Sequence, residues 1–586
     1  LRLVADIETD GFVEHLTKIH CIAVMNADNT SQKWVYGPDK IEIGVQHLAS
    51  ASELIMHNGI AFDIPAIRKI FPDFNANNEL KVTDTLVLSR LIRPDLRNED
   101  FATNLPKKLH GSHSLKAWGQ RLGLLKGDFG ETADWSVWTQ EMSDYCEIDV
   151  AVCHKLWKAL APHEWPTRAI EFEHQLAELC YRIGRAGWTF DMDKAAKLYG
   201  DLSQERSELE KELHQLFPAW TVEEEFIPKV NNKSRGYQKG VPFIKYQTVE
   251  FNPNSRKHIE FCLRNKYNWK PKVFTPSGSA KIDETTLSTM PFPEARKLAH
   301  SFTIQKRLAM LAEGNAAWMK LVGKDGKLRH TINSLGSISG RCSSFAPNLQ
   351  QVPSVGSEYG EQCRELFTVP EGRMLCGVDL SGIELRCLAH YLQDGGAYAK
   401  EILEGDIHSA NAKAMGVSRS QSKTAVYCMI YGGSDKRLGE AVNGSTADGK
   451  EIRQKFYRSN PAFEQLLKAI AEVVKQRGYL TGLDGRRLYA RSDHGQLNIL
   501  LQSAAALIAK QFVLNIDQAI KQENIDAEIV AFVHDEAQIS TTNQEGVANY
   551  VGNIAIRCAK EAGEHFRFKI PIGAEFRVGT NWAATH

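Results

Sequence analysis

Acidic side chains that end apolar runs are the first candidates for chemistry. In "LVADIETD", Asp6 and Glu8 lie two apart on a stretch that reads as a strand, so both carboxylates leave one face. Two carboxylates on one face repel each other unless a cation lies between them. "HNGIAFDIPAI" supplies Asp63 after a glycine turn, and "YCEIDVA" supplies Tyr145 and Asp149, four apart on one side of a helix. A second acidic set comes much later. "GRMLCGVDLSGIELR" runs an apolar stretch onto Asp379 and Leu380 and then reaches Glu384. "AEIVAFVHDEAQIS" has the form of a strand, a sharp turn and a strand, with His534, Asp535 and Glu536 at its tip. Buried carboxylates are costly unless paired, and a hard cation such as Mg²⁺ takes oxygen ligands that it shares with substrate phosphates. Taken singly, an acid on a strand edge reads as a solvated surface residue, and an "HDE" tip as a charged hairpin end.

A helix must bring cations to such a site. "VSRSQSKTAVYCMIYGG" opens with Ser418 as N-cap and closes on Gly432 and Gly433. Arg419, Lys423, Tyr427 and Tyr431 recur every four residues, a ridge of two cations followed by two aromatics. The cations suit a triphosphate and the rings a base or sugar. The same ridge equally suits a solvated basic stripe with two core tyrosines.

The elements that hold these residues fall into blocks. Residues 1–165 mix short strands with helices, an α/β unit. Residues 166–216 are helical, then "IPKVNNKSRGYQKGVPFIKYQ" reads as an exposed basic excursion, and helix returns from about 254. Strands and helices mix again from about 330, with a helix-rich block over roughly 395–515. At 586 residues the chain is too long for one core. Apolar residues make up 43% and charged residues 24%, a globular composition, and the formal net charge of zero does not advertise a nucleic-acid binder. Eleven cysteines without a C-x-x-C pair argue against a zinc knuckle or a disulfide framework and for a reducing cytoplasm. No run of about 18 apolar residues is seen, so no membrane span is expected, and the start does not read as a signal peptide.

The order D-x-E, N-G-x-x-x-D, Y-x-x-x-D resembles the three motifs of proofreading 3′–5′ exonucleases with a ribonuclease-H-like fold. "DLSGIELR", "RSQSKTAVYCMIYG" and "VHDE", in that order, resemble motifs A, B and C of family A DNA polymerases, the family of bacterial DNA polymerase I. "SGRCSSFAPNLQQVP" with Arg341 and "LLQSAAALI" with Gln502 match further family segments. "YGEQCR", "GDIH" and "NWAATH" look closest to the replicative polymerases of T-seven-like phages (podoviruses).

That resemblance implies an α/β multidomain fold: a ribonuclease-H-like exonuclease domain at 1–165 and a right-hand polymerase. In the latter, the thumb is 166–321 with its short excursion 218–250, the palm 322–391 and 498–586, and the helical fingers 392–497. It implies two Mg²⁺ ions at Asp379, Leu380 and Asp535 and two at Asp6, Glu8, Asp63 and Asp149, with Mn²⁺ able to substitute, and Tyr145 orienting the attacking water. Glu536 joins the catalytic set. Arg419, Lys423 and His408 bind the triphosphate, with Lys423 able to protonate the leaving pyrophosphate. Glu384 excludes ribose, Tyr427 faces the sugar 3′ side, and Tyr431 lies near the templating base. Arg341, Gln502 and His534 contact DNA. Primer-template DNA and dNTPs are the expected partners of a monomer, and a helicase or processivity factor is a further one. Thioredoxin is doubtful, because the insertion that binds it in the phage relatives is much shorter here. The expected setting is the cytoplasm of a phage-infected bacterium, with a bacterial or organellar repair polymerase as the alternative.

Overall fold

Alternation in "RLVADIET" becomes the strand Arg2–Thr9, in which Leu3, Ala5 and Ile7 face one layer of core while Val4, Asp6 and Glu8 face the other. The structure, a computed structural model, describes residues 1–74, 80–124, 127, 129–544 and 546–586. Arg2–Thr9 is the middle of a five-stranded sheet in the order Lys33–Tyr36, Ile19–Asn26, Arg2–Thr9, Glu53–Met56, Lys81–Asp84. The first three strands are antiparallel, and the last two join in parallel. The helix Gln140–Leu160 packs on the strands Arg2–Thr9 and Ile19–Asn26. It buries Met142, Cys146, Val150, Cys153 and Leu156 against Val4, Cys21 and Ala23. The carboxylates of Asp6 and Glu8 and the buried face of this helix therefore look at one another.

A second sheet, all antiparallel, has the order Ala527–Val533, Glu536–Thr542, Arg373–Leu380, Ala574–Gly579. The helix Val547–His565 packs on it, and the helix Gln496–Gln522 packs on Val547–His565 and on the strand Ala527–Val533. Residues Asp493–Gln522 are long and apolar enough to cross a membrane, with an 18-residue stretch of mean hydropathy 1.5, but 78% of that stretch is buried inside the protein and it serves as a core helix. Six helices lie between Ala397 and Arg477; among them Arg419–Ile430 starts on a capping box made by Ser418 and Gln421. At its end, Gly432 takes φ +72° with His494 O so close that a Cβ would sit 2.1 Å from it, so only glycine fits.

Packing divides the chain into two units: residues 1–188, 329–351 and 369–586 form one, and 189–328 with 352–368 the other. The helix Thr167–Ala186, grouped with the thumb by the sequence, packs in the first unit. There Glu173, wholly buried, accepts from Arg486 and Lys510 at 2.6 Å each, and Asp484 pairs with Arg486 at 2.7 Å. In the second unit the helices Met192–Leu216 and Pro293–Leu308 pack together, with His300 Nε2 2.8 Å from Glu205 Oε1 and Lys297 Nζ 2.6 Å from Glu212 Oε2 along their seam. The expected basic excursion is a folded hairpin. Strands Trp220–Phe226 and Phe243–Val249 pair antiparallel with Glu224 opposite Lys245, whose Nζ lies 3.5 Å from the Phe226 ring centroid. Three consecutive glutamates and the polar loop hid this strand pattern in the sequence.

Candidate active sites

The strand Arg373–Leu380 delivers Asp379 to the end of the second sheet, and the turn between Ala527–Val533 and Glu536–Thr542 delivers Asp535 beside it. The turn is tight: His534 has φ +59°, and Leu380 N–H donates to Asp535 O at 3.3 Å. Asp379 stays open to solvent, with protein packed beneath it. Desolvation and the charges of Asp535 and Glu536 push its pKa up to about 7. Burial, with Glu384 and Glu536 nearby, raises Asp535 to about 6. Carboxylates forced together in this way gain from a divalent cation. Glu536 differs. Burial pushes its pKa up, but hydrogen bonds bring it below the ordinary range: His586 Nδ1 at 3.3 Å, Gln538 Nε2 at 2.5 Å and Trp582 Nε1 at 2.6 Å. The acid next to Asp535 is thus tied to the C-terminal segment.

The cationic–aromatic helix faces this pair. Tyr427 and Tyr431 stack at 6.2 Å between centroids. Burial and the nearby charge of Glu384 raise Tyr427 to about 12. Arg341 Nη2 lies 3.4 Å from Glu384 Oε1 and touches Tyr431. Arg341, Glu384, His534 and Asp535 line one cavity of about 180 Å³ together with Ala505, Ala506, Ala509 and Lys510. Gln502 stands on the same helix face as Ala505, Ala506 and Ala509, half-buried. Lys423 is exposed and pairs with no acid among the described residues. His408 lies beside Arg419 and Lys423, its Nδ1 buried without a partner. Arg419 is held by Asp406, at 2.7 and 3.3 Å through Nε and Nη2, which leaves Nη1 open to a phosphate.

In the first sheet, ligand atoms of Asp6, Glu8 and Cys146 lie within 4.8 Å of one another. Asp63 starts the helix Asp63–Ile70, is 2% exposed, and accepts Ile7 N–H at 3.2 Å. Burial, then Asp84, then Asp149 push it up to about 8. All four expected acids thus gather around the strand Arg2–Thr9 and the helix Gln140–Leu160. The ring of Tyr145 is held by Phe129 at 5.4 Å and Trp135 at 6.4 Å, with its hydroxyl close against Gly130. Two residues escaped the sequence reading. Cys146 has Sγ 3.5 Å from Asp6 Oδ2, and Asp84 accepts the N–H groups of Asn58, Ile60 and Leu86. Cys146 directly follows Tyr145, and only a helix register could have shown that it turns inward. The carboxylate oxygens gathered at both sites suit hard divalent ions, with Cys146 Sγ a softer donor beside Asp6 and Glu8.

A family model for DNA polymerase family A matches residues 228–584, and one for the RNase_H superfamily matches residues 3–161. The chain is 32% identical to the DNA-directed DNA polymerases of Enterobacteria phage T3 and Escherichia phage T7, over the whole of each chain. It is 26% identical to DNA polymerase I of Bacillus caldotenax over 74% of this chain and 53% of that one. Among solved structures, the POL domain of Pol1 from M. smegmatis, in complex with DNA primer-template and dNTP, matches with a TM-score of 0.75. That match has 19% identity over 100% of this chain and 96% of the other, and it speaks for the fold. With most of its length matched by the polymerase model and two phage enzymes related end to end, the chain belongs to DNA polymerase family A, as a DNA-directed DNA polymerase that carries an RNase H-like exonuclease domain.

Proposed function

We propose that the two carboxylate clusters are separate two-metal centres, one for synthesis and one for 3′–5′ proofreading. Asp379, Asp535 and the Leu380 carbonyl would hold two Mg²⁺ ions in the first, and Asp6, Glu8, Asp63 and Asp149 two in the second. When bound, such ions acidify an attacking oxygen and neutralise charge at phosphorus. The supporting observation is that burial, followed by the charges of neighbouring acids, raises Asp379 and Asp535 in one cluster and Asp63 in the other, while Ile7 N–H of the strand that carries Asp6 and Glu8 donates to Asp63.

The chain's own groups do the rest. Lys423, with Arg419 and His408, binds the triphosphate, and the Lys423 ammonium can hand a proton to the leaving pyrophosphate. Glu384, fixed by Arg341, fills the space a ribose 2′-hydroxyl needs. Tyr427 faces the sugar and Tyr431 the templating base. Arg341, Gln502 and His534 hold the primer-template. In the nuclease, Tyr145 orients the water. Glu536, locked to Trp582 and Gln538, positions the turn that carries Asp535.

On this reading the exonuclease domain is 1–165, the thumb 166–321 with its first helix, Thr167–Ala186, packed against palm elements, the fingers 392–497, and the palm the segments 322–391 and 498–586. The hairpin within 218–250 holds DNA phosphates through Lys229, Lys233, Arg235, Lys239 and Lys245. End-to-end identity with two phage enzymes favours a monomeric phage replicative polymerase, working in the infected cell's cytoplasm, over a bacterial repair enzyme. The test is a primer-template assay with the wild-type protein. Extension with dNTPs, shortening without them, and loss of both in chelator are expected. Extension with no shortening would contradict the proofreading assignment.

A further inference from the structure

The helix Thr167–Ala186 packs on the strand Thr331–Asn333, which pairs with the strand Ser343–Phe345. Gly184 permits so close an approach: a Cβ there would meet His330 O at 2.3 Å. One turn earlier on the helix stands Cys180, and Cys342 directly precedes the strand Ser343–Phe345. The two thiols hydrogen-bond to each other. Cys342 Sγ also lies 3.5 Å from Ser334 O. Two touching thiols fill a core as well as other small side chains do, and Cys180, 1% exposed, belongs to the core. Access and charge set this pair apart.

Cys342 is half-buried and lines the cavity of about 180 Å³ that Arg341, Glu384 and Asp535 also line. A water occupies about 30 Å³, so small polar molecules of that order fit the cavity and reach the sulfur. Lys510, which donates to Glu173, lines the same cavity. The hydrogen bond from Cys180 lowers the Cys342 pKa against the effect of burial, Lys510 and Arg486 lower it further, and Glu173 opposes them. The bond to Cys342 and burial push Cys180 the other way. One thiol is thus suited to attack and its neighbour to resolve the product. A second touching pair, Cys21 and Cys146, is wholly buried and lacks that access.

We propose that Cys342 and Cys180 form a modification site for hydrogen peroxide, which joins them in a disulfide that draws Arg341 off Glu384. The Cys342 sulfur attacks one peroxide oxygen, the O–O bond breaks, and hydroxide leaves with the thiol proton as water. The Cys180 sulfur then attacks the sulfenic sulfur, the S–O bond breaks, and a second water leaves with the Cys180 proton. Two thiols lose two electrons, and one peroxide is reduced to two waters. A covalent bond in place of a hydrogen bond pulls the Cys342 backbone toward the helix. Arg341 is the next residue along, and its Nη2 lies 3.4 Å from Glu384 Oε1. Thiol reductants reverse the step, as befits a transient disulfide in a reducing compartment.

The test treats the full-length protein with hydrogen peroxide, blocks remaining thiols with N-ethylmaleimide, and maps the digest by mass spectrometry. A linked peptide carrying Cys180 and Cys342, lighter by two hydrogens, is expected. Primer extension by the oxidised protein should fall about tenfold, the loss of one charged hydrogen bond. Dithiothreitol should restore both the separate peptides and the extension. With dimedone, which labels sulfenic acids, Cys180→Ala should carry the label on Cys342, and Cys342→Ala should carry none on Cys180. The wild-type digest decides the linkage even if a variant does not fold. Absence of the linked peptide, or linkage of Cys21 to Cys146 in its place, would overturn the site. A linked protein that extends primers at the unoxidised rate would overturn the coupling to Arg341.

Discussion

Tyr427 carries a hydroxyl into a site already crowded with acids, and its pKa of about 12 keeps it a neutral donor. A neutral donor at the sugar's 3′ side can stand in for a missing substrate hydroxyl. Tyr427→Phe is therefore expected to increase discrimination against dideoxynucleotides by about 10- to 100-fold, measured as the ratio of ddNTP to dNTP incorporation. Equal ratios would remove that role. Asp63 gives a pH prediction for the metal-free protein. Its pKa rises on folding from an ordinary 3.8 to about 8, so the folded state holds the proton more tightly. Its penalty is absent below the unfolded pKa, and stability is lost as pH climbs from about 4 to about 8. In chelator at pH 8, Asp63→Asn should raise the melting temperature, and the gain should vanish near pH 4. Added Mg²⁺ should stabilise the wild type more than the variant. Asp6 with Glu8 and Tyr145 with Asp149 were legible in the sequence as pairs, because strand alternation and helix spacing fix their faces, while Asp63, Asp379 and Asp535 were singled out by the order of motifs. Cys146 and Asp84 were not: one is not an acid, and the other belongs to no motif and caps the helix Thr85–Ile92.

At the scale of elements, the helix Thr167–Ala186 is pinned by an ionic cluster with almost no solvent. Glu173, Asp484, Arg486 and Lys510 balance two charges of each sign, and Glu173 accepts from both cations. Glu173→Gln should cost about 3–5 kcal/mol, read by urea unfolding, because it leaves a buried cation uncompensated. A cost below about 1 kcal/mol would mean that water reaches the cluster. No pattern in the sequence reveals such a group, since its members are more than 300 residues apart in chain order between Glu173 and Arg486. Helices with caps were readable, as Ser418 and the two glycines after Tyr431 demonstrate. The hairpin within 218–250 was not, since "EEE" breaks apolar alternation and the cross-strand Glu224–Lys245 pair forms only once the register is set. Replacing Lys229, Lys233 and Lys239 in its loop with Gln should flatten the salt dependence of DNA binding by about 0.9 for each phosphate that is no longer neutralised. Added thioredoxin should leave processivity where it was. A large thioredoxin effect would show that the hairpin docks a protein.

At the scale of the whole molecule, the sheet Lys33–Tyr36 to Lys81–Asp84 and the sheet Ala527–Val533 to Ala574–Gly579 each end in a carboxylate cluster of its own. The bidentate pair of Arg491 with Asp95 joins the body of the first sheet to the polymerase segments. Synthesis and trimming then share one strand of DNA but no ligand. The direct measurement is a labelled primer-template incubated with and without dNTPs, using Asp379→Ala and Asp6→Ala. Asp379→Ala should lose extension by about 10²–10³-fold or more while still shortening the primer, and Asp6→Ala should do the reverse. If either substitution abolished both activities in a folded protein, the two centres would not be separate.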